Sequence, residues 1–553
     1  MNGENTRNKT LSRKDFLRYM AIVAGATVTA VQYIACSNRR NKYAHIGGRI
    51  HGASAAIGHQ LRNGHFAAPA TTERVDVVIV GSGVAGLSAA RKLRQQGDIS
   101  FKVLELETRV GGNAAYGENA YSHYPLGAHY LPLPNLSNRP LLDLLEEAGI
   151  LTGYNEAGWP VYNETDLCFD PEERLFIHGR WQEGLVPQFG VPAIDLAEIR
   201  RFFAEMERLR WQRGADGLYA FDIPLANSSK DAVYTALDNI SMKDYLQQEG
   251  YVSEALHWYL DYCCRDDYGA GTAVISAWAG IHYFAGRKGK AANADSSQVL
   301  TWPQGNGRLV EHLRQFSEGH IQPHCLAYRV TPVGNQVYVD YLEVTSGHTH
   351  RLVANSCILA VPQFVARRLL PASTLYQPQH FVYSPWLVAN ITLDQVPDSQ
   401  GYPLCWDNVM YKGRSLGYVN AQQQQLSQQK NGKQVITWYL PLDHMEPVAS
   451  REYALGLQHP HWVKLIADDL EAMHPGIHRM INIIDVWIWG HGMIRPRAGF
   501  ITSSELVAAR QSGYPNIFYA HSDLSGVSIF EEAFYYGNQA ATALLASTGH
   551  AVS

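Results

Sequence analysis

The residues best suited to chemistry are three glycines and an acid. Gly81, Gly83 and Gly86 follow an apolar run at 75–80, and a helical pattern with Leu87, Ala90 and Leu93 on one face follows them, stopping at Gly97. Each glycine has a physical task. Gly81 permits a tight strand-to-helix turn, Gly83 lets the backbone approach a pyrophosphate, and Gly86 lets the helix pack closely on the strand. The helix start at Val84 and Ala85 then presents free N–H groups and a positive dipole end to that pyrophosphate. A second strand at 101–104 ends in Glu105, 19 residues beyond Gly86, where a carboxylate should meet a ribose hydroxyl. Together these predict a bound dinucleotide and a redox role. The bland alternative is a cofactor-free α/β turn.

Beyond the acid the chain reads Leu106-Glu-Thr-Arg109-Val-Gly111-Gly112-Asn113, an order that resembles the flavin-containing amine oxidase and phytoene desaturase superfamily. The resemblance implies that Gly111 and Gly112 lie against a flavin and that Arg109 helps hold its phosphates. Asn113 stands where the family usually has Arg or Lys. Further segments match in order: Gly127, Ala128 and His129 on the flavin side of the first domain, residues 303–310 at a helix start, and Tyr328-Arg-Val330 on the strand whose backbone meets the adenine. Residues 358–362 resemble a strand ending in Val-Pro. Residues 516–523 resemble the strand that ends in an acid, Asp523, beside the ribityl chain. Residues 526–541 resemble the last helix, whose N-terminus points at the flavin ring. Ile529 stands there where the family commonly has one ring of an aromatic cage.

The implied fold class is α/β: a Rossmann-like FAD-binding domain from 74–135, 301–370 and 481–548, interleaved with an α+β substrate domain from 136–300 and 371–480. A helix is expected at 194–213 and strands at 386–393 and 434–439. Some members tie the flavin to a cysteine before the last strand. Residues 485–512 contain none, so the expected cofactor is non-covalent FAD.

Three side chains are candidates for catalysis. His491, in Trp489-Gly-His-Gly-Met, falls where the family lines the substrate side of the flavin and has a side chain that titrates near neutrality. His129 could touch flavin or substrate. Arg368, beside Arg367, occupies a region where several members carry a lysine; an arginine cannot act as a base but could hold a water or a carboxylate. The plainer readings are a hydrogen-bonded core histidine and a solvated helix face. Arg265-Asp266-Asp267 could line the substrate cavity, or form a cap or ion-pair network. Tyr535 and Tyr536 read as packing.

The remaining sequence bounds the function. At 46% apolar, 18% charged and net charge −5, it gives no reason to expect a nucleic-acid partner. Seven scattered cysteines show no zinc spacing, and the adjacent Cys263 and Cys264 are expected as free thiols. Residues 1–36 read as an export signal. Ser12-Arg-Lys-Asp-Phe-Leu-Arg18 resembles a twin-arginine motif with Lys14 in place of the second arginine, and an uncharged run at 20–35 leads to a lipoprotein-like Cys36. Residues 37–73 read as a linker. The expectation is a periplasmic or envelope enzyme, with membrane contact through a lipidated Cys36. It would oxidise a C–N bond of an amine or polyamine-like substrate and pass electrons to oxygen or a respiratory acceptor. The alternatives are a desaturase or isomerase of an apolar chain and a non-catalytic flavin-stabilised binding protein.

Overall fold

The strand Thr71–Val80 is buried on both faces over its last four residues, Val77 to Val80, as an inner parallel strand must be. A computed structural model, describing residues 42–97, 99–371, 378–425 and 432–548, shows why. This strand runs parallel to Phe101–Leu104 on one side and to Thr349–Leu359 on the other. Ile321–Gln322 extends the sheet beyond Phe101–Leu104. On the far side Gln336–Glu343 and Cys325–Val333 continue it antiparallel, and Ile517–Tyr519 lies parallel to the end of Thr349–Leu359. One sheet therefore draws its strands from three separated stretches of sequence. The helix Val84–Gln95 follows the glycine turn, and the last helix, Phe530–Ser547, packs directly on it. Gly537 permits that approach: a Cβ there would stand 2.2 Å from the Ala85 carbonyl oxygen.

A second sheet forms the other half of the fold. Its order is Ile50–Gly52, Ile481–Ile494, Tyr383–Leu393, Gln434–Pro441, Tyr418–Asn420, Asp407–Met410, Glu173–Ile177 and Arg180–Glu183. The helices Ala193–Trp211, Met242–Gln248, Glu254–Tyr268 and Ala277–Ala285 pack around Phe202, Met206, Leu246, Leu256 and Leu260. The expected helix at 194–213 and strands at 386–393 and 434–439 are present with ends shifted by a few residues.

Two domain expectations need correction. The strand Ile481–Ile494 pairs along its length with Tyr383–Leu393, so it belongs to the substrate sheet rather than to the dinucleotide domain. Nor is the stretch from Gly47 to 73 a tether. Ile50–Gly52 adds a parallel edge strand to Ile481–Ile494, and Ser54 donates from N–H and hydroxyl to Glu107 at 2.7 and 2.8 Å. Phe66 stacks on Tyr328 at 4.0 Å. Composition suggested a linker because the stretch is small and polar; its backbone hydrogen bonds anchor it nonetheless.

Contacts divide the chain into Met1–Ile46 and Gly47–Ser553. Of the first unit, residues 42–45 form a turn. The expected export signal and Cys36 lie outside the described residues. Among the described residues, no helix is long and apolar enough to cross a membrane.

Candidate active site

The glycine turn has the geometry expected of it. Gly81 takes φ +99°, and a Cβ there would stand 2.4 Å from the Ala360 carbonyl oxygen. A Cβ on Gly86 would stand 1.9 Å from the Gly81 carbonyl oxygen, so strand and helix require both glycines. Gly83 differs. Its φ is −67°, open to any residue, and a Cβ there would meet nothing within 4 Å. Neither strain nor packing within the protein calls for glycine at 83. The open space above it does, as the space a phosphate group would fill. Gly111 pairs with Gly83 across this cleft, and Gly112 is exposed beside it. No side chain caps the helix start at Val84 and Ala85, which leaves its N-terminal dipole for an anion. These residues fit the pyrophosphate of FAD.

Around the cleft, the Glu105 carboxylate accepts the Ser82 N–H and hydroxyl at 2.8 and 2.6 Å and the Glu107 N–H at 2.8 Å. Burial raises its pKa, and these hydrogen bonds oppose the shift. Arg109 is exposed and donates to the Tyr116 carbonyl at 3.1 Å. The Val330 side chain is buried in the core of the sheet, so only its backbone could face an adenine.

A cavity partly open to solvent is lined by Asn113, Gly127, Ala128, His129 and Ile529. Its walls include Trp386, Tyr439 and Trp489. The Trp489 indole N–H donates to the Leu126 carbonyl at 2.7 Å, and the Tyr439 hydroxyl to that of Gly127 at 3.1 Å. His129 packs on Tyr439 with ring centres 4.6 Å apart, and burial lowers its pKa to about 4. It is a neutral wall at physiological pH. Asn113 donates its side-chain amide to the Gly492 carbonyl.

Charge enters the cavity from two helices. Asp266 and Asp267 occupy the last turn of Glu254–Tyr268, which Gly269 ends in the left-handed conformation at φ +66°. Arg265, one residue earlier, points elsewhere and pairs with Asp443 at 2.8 Å. Arg287 grips both oxygens of Asp267 at 3.0 and 2.7 Å, and the Tyr130 hydroxyl lies 3.4 Å from each aspartate. Burial, with Asp267 alongside, raises the pKa of Asp266, while Arg287 and Tyr130 oppose the shift. Glu531, in the first turn of the last helix, also lines the cavity, and burial raises its pKa to about 7. Asp266 and Asp267 were expected at the cavity from the sequence, whereas Arg287 and Glu531 were not. The available signal was Glu531-Glu532, two acids at an otherwise apolar helix start.

Two of the predicted catalytic residues, His491 and Arg368, lie elsewhere. Ser384 pairs with Met493 while Trp386 pairs with Trp489, so one residue faces three across a bulge. Gly492 and Met493 then join Trp489 at the cavity, and His491 turns away onto Phe364, with ring centres 4.4 Å apart. Burial, then the charges of Arg451, Arg62 and His59, lower its pKa to about 4. Arg368 is exposed on Gln363–Leu369, near His59 rather than the cavity. One oxygen of the buried Asp523 carboxylate accepts the Gln363 N–H at 2.9 Å and the Tyr383 hydroxyl at 2.6 Å, which braces the end of the sheet. The six described cysteines are free and buried, and the Tyr536 hydroxyl donates to the Leu524 carbonyl, a packing contact.

Comparison with known proteins agrees with this architecture. Residues 79–148 match the family described as NAD(P)-binding Rossmann-like domain. The oxidoreductase PigB of Serratia sp. (strain ATCC 39006) is 25% identical over 87% of this chain and 76% of its own length. Polyamine oxidase 2 of Arabidopsis thaliana is 25% identical over 53% of this chain, and the chain spans about half of that protein, 51%. Wild-type putrescine oxidase bound to putrescine superposes with a TM-score of 0.61 at 16% identity, over 86% of this chain and all (100%) of that one. The fold is that of solved amine oxidases such as putrescine oxidase, and the dinucleotide cradle is that of a Rossmann-like domain.

Proposed function

We propose that the protein is an exported FAD-dependent oxidoreductase that oxidises the C–N bond of an amine or polyamine-like substrate. The observation that carries this reading is an aromatic cavity, on the flavin side of the dinucleotide domain, holding three carboxylates against one arginine. A neutral alkene chain would leave Asp266 and Glu531 buried without an ion-pair partner, at a large cost in free energy. An ammonium group matches them.

Gly83, Gly111, Gly112 and the helix start at Val84 would hold the pyrophosphate of FAD, and Gly127, Ala128 and Asn113 would meet its ring. When bound, the flavin supplies the acceptor for a hydride from the carbon next to nitrogen. The protein's own residues do the rest. Trp386, Tyr439 and Trp489 exclude water and offer ring faces to a cation. Tyr130 and Arg287 hold Asp267 in place, and the carboxylates draw the amine in. An amine must be neutral to give up hydride, so the bound ammonium would first pass a proton to an ionised cavity carboxylate, Asp266 or Glu531. Oxygen or a respiratory acceptor then takes the electrons. Export rests on the basic, then uncharged, run before Cys36, and lipidation there would hold the enzyme at the envelope.

Product analysis tests the chemistry. Incubated with a panel of mono-, di- and polyamines, the purified protein should release an aldehyde or a shortened amine. Conversion of isoprenoid or fatty-acid chains, with all amines untouched, would overturn the reading. Cell fractionation with sequencing of the mature N-terminus tests export; an intact cytoplasmic chain would refute it.

A further inference from the structure

Among the described residues, two of the three cavity carboxylates form no ion pair, although the Arg287 charge reaches both. Asp267 is neutralised by Arg287 through two hydrogen bonds. Asp266, on the same helical turn, has only the Tyr130 hydroxyl, at 3.4 Å. Glu531 comes from the last helix, is 4% exposed, and lines the same cavity. Among the described residues, none donates a hydrogen bond to its carboxylate from outside its own backbone. A buried acid that lines an open cavity with only its own N–H for a partner is costly unless a ligand completes it. Nothing in the packing of Phe530–Ser547 requires an acid at 531, since the neighbouring Phe530 and Phe534 pack in the apolar core.

We infer that Glu531 and Asp266 form the subsite that receives the ammonium nitrogen of the substrate, and that they select cationic amines over neutral molecules of the same shape. This rests on the amine reading above and adds the residues that decide specificity. Arg287 holds Asp267 through both of its oxygens, and the charge of Asp267 raises the pKa of Asp266 beside it. The ammonium would sit between two helices, the end of one and the start of another, with ring faces around its methylenes. An ammonium has three N–H donors, enough to bond both carboxylates and retain one for a water or a carbonyl.

The test uses the purified holoprotein and tert-butylammonium, which has no hydrogen on the carbon next to nitrogen and cannot be oxidised there. Isothermal titration should show the ammonium binding at least about 10-fold more tightly than tert-butanol, its neutral isostere. E531Q and D266N should each weaken the ammonium by about 10-fold or more and leave the alcohol unchanged. E531D, which keeps the charge, should retain more affinity than E531Q. Flavin absorbance serves as the check that each variant is folded. Equal affinity for ammonium and alcohol would overturn the subsite, as would E531Q and D266N proteins that bind the ammonium like the parent. If amines reduce the flavin while both variants keep full affinity, the subsite falls and the amine reading stands. If ammonium affinity depends on both carboxylates but no amine is oxidised, the subsite stands and the oxidation reading falls.

Discussion

At the scale of the residue, Gly83 and Glu531 carry the most function for opposite reasons. Gly83 matters for the side chain it lacks. A Cβ there touches nothing in the protein, so Gly83→Val should fold with little change in melting temperature yet purify with little or no flavin. Absorbance near the flavin bands against protein absorbance measures this. Glu531 matters for a charge held where charge is costly. Its pKa of about 7 lies above its ordinary value of 4.5, so the folded protein holds a proton there that the unfolded chain has lost between those pH values. Stability attributable to this site therefore falls as pH rises through that window. E531Q should gain up to roughly 3 kcal/mol over the parent at pH 8 and nothing below about pH 4.5, read by denaturant melts. For the same reason cation binding should need the ionised acid. Asp266, Asp267, Arg287 and Tyr130 surround it and shape the curve. The KM for an amine should fall about tenfold per unit as pH rises toward 7 and then level off.

At the scale of the element, the site stands where helix ends and sheet edges meet. The last helix brings Ile529 and Glu531 to the cavity because Gly537 lets it lie on the dinucleotide helix. Gly537→Val should push the helices apart and cost about 1–3 kcal/mol, with flavin loss alongside, measured as a lower melting temperature and a higher dissociation constant for FAD. The glycine turn, the strand before it and the helix after it were all legible in the sequence, because their signals are local in spacing. The order of the three sheet pieces was legible through resemblance. His491 was not. Along a regular strand it would share a face with Trp489 and Met493, and only the bulge opposite Ser384–Trp386 reverses it. A bulge leaves no periodic mark, so alternation along the strand assigns the wrong face.

At the scale of the whole molecule, the two sheets share strands from interleaved stretches, so cofactor cradle and substrate cavity cannot be separated by a single cut. The small polar residues after Gly47 close the edge of the substrate sheet. A protein beginning at Gly47 should fold, bind flavin and keep its activity. One beginning at Arg74 should expose the edge of Ile481–Ile494, lose the Ser54 bonds to Glu107, and aggregate or lose flavin. Size-exclusion chromatography with flavin content distinguishes these outcomes. Equal behaviour of the two would mean that the segment is a tether after all.

The central claim is that an amine held in this cavity reduces a bound flavin. Anaerobic titration of the purified yellow protein with amines, followed by its absorbance, tests it most directly. At least one cationic amine should bleach the flavin stoichiometrically, while neutral alkenes of similar size leave it oxidised. A protein whose flavin is bleached by alkenes and by no amine, or that binds no FAD at all, would contradict the account.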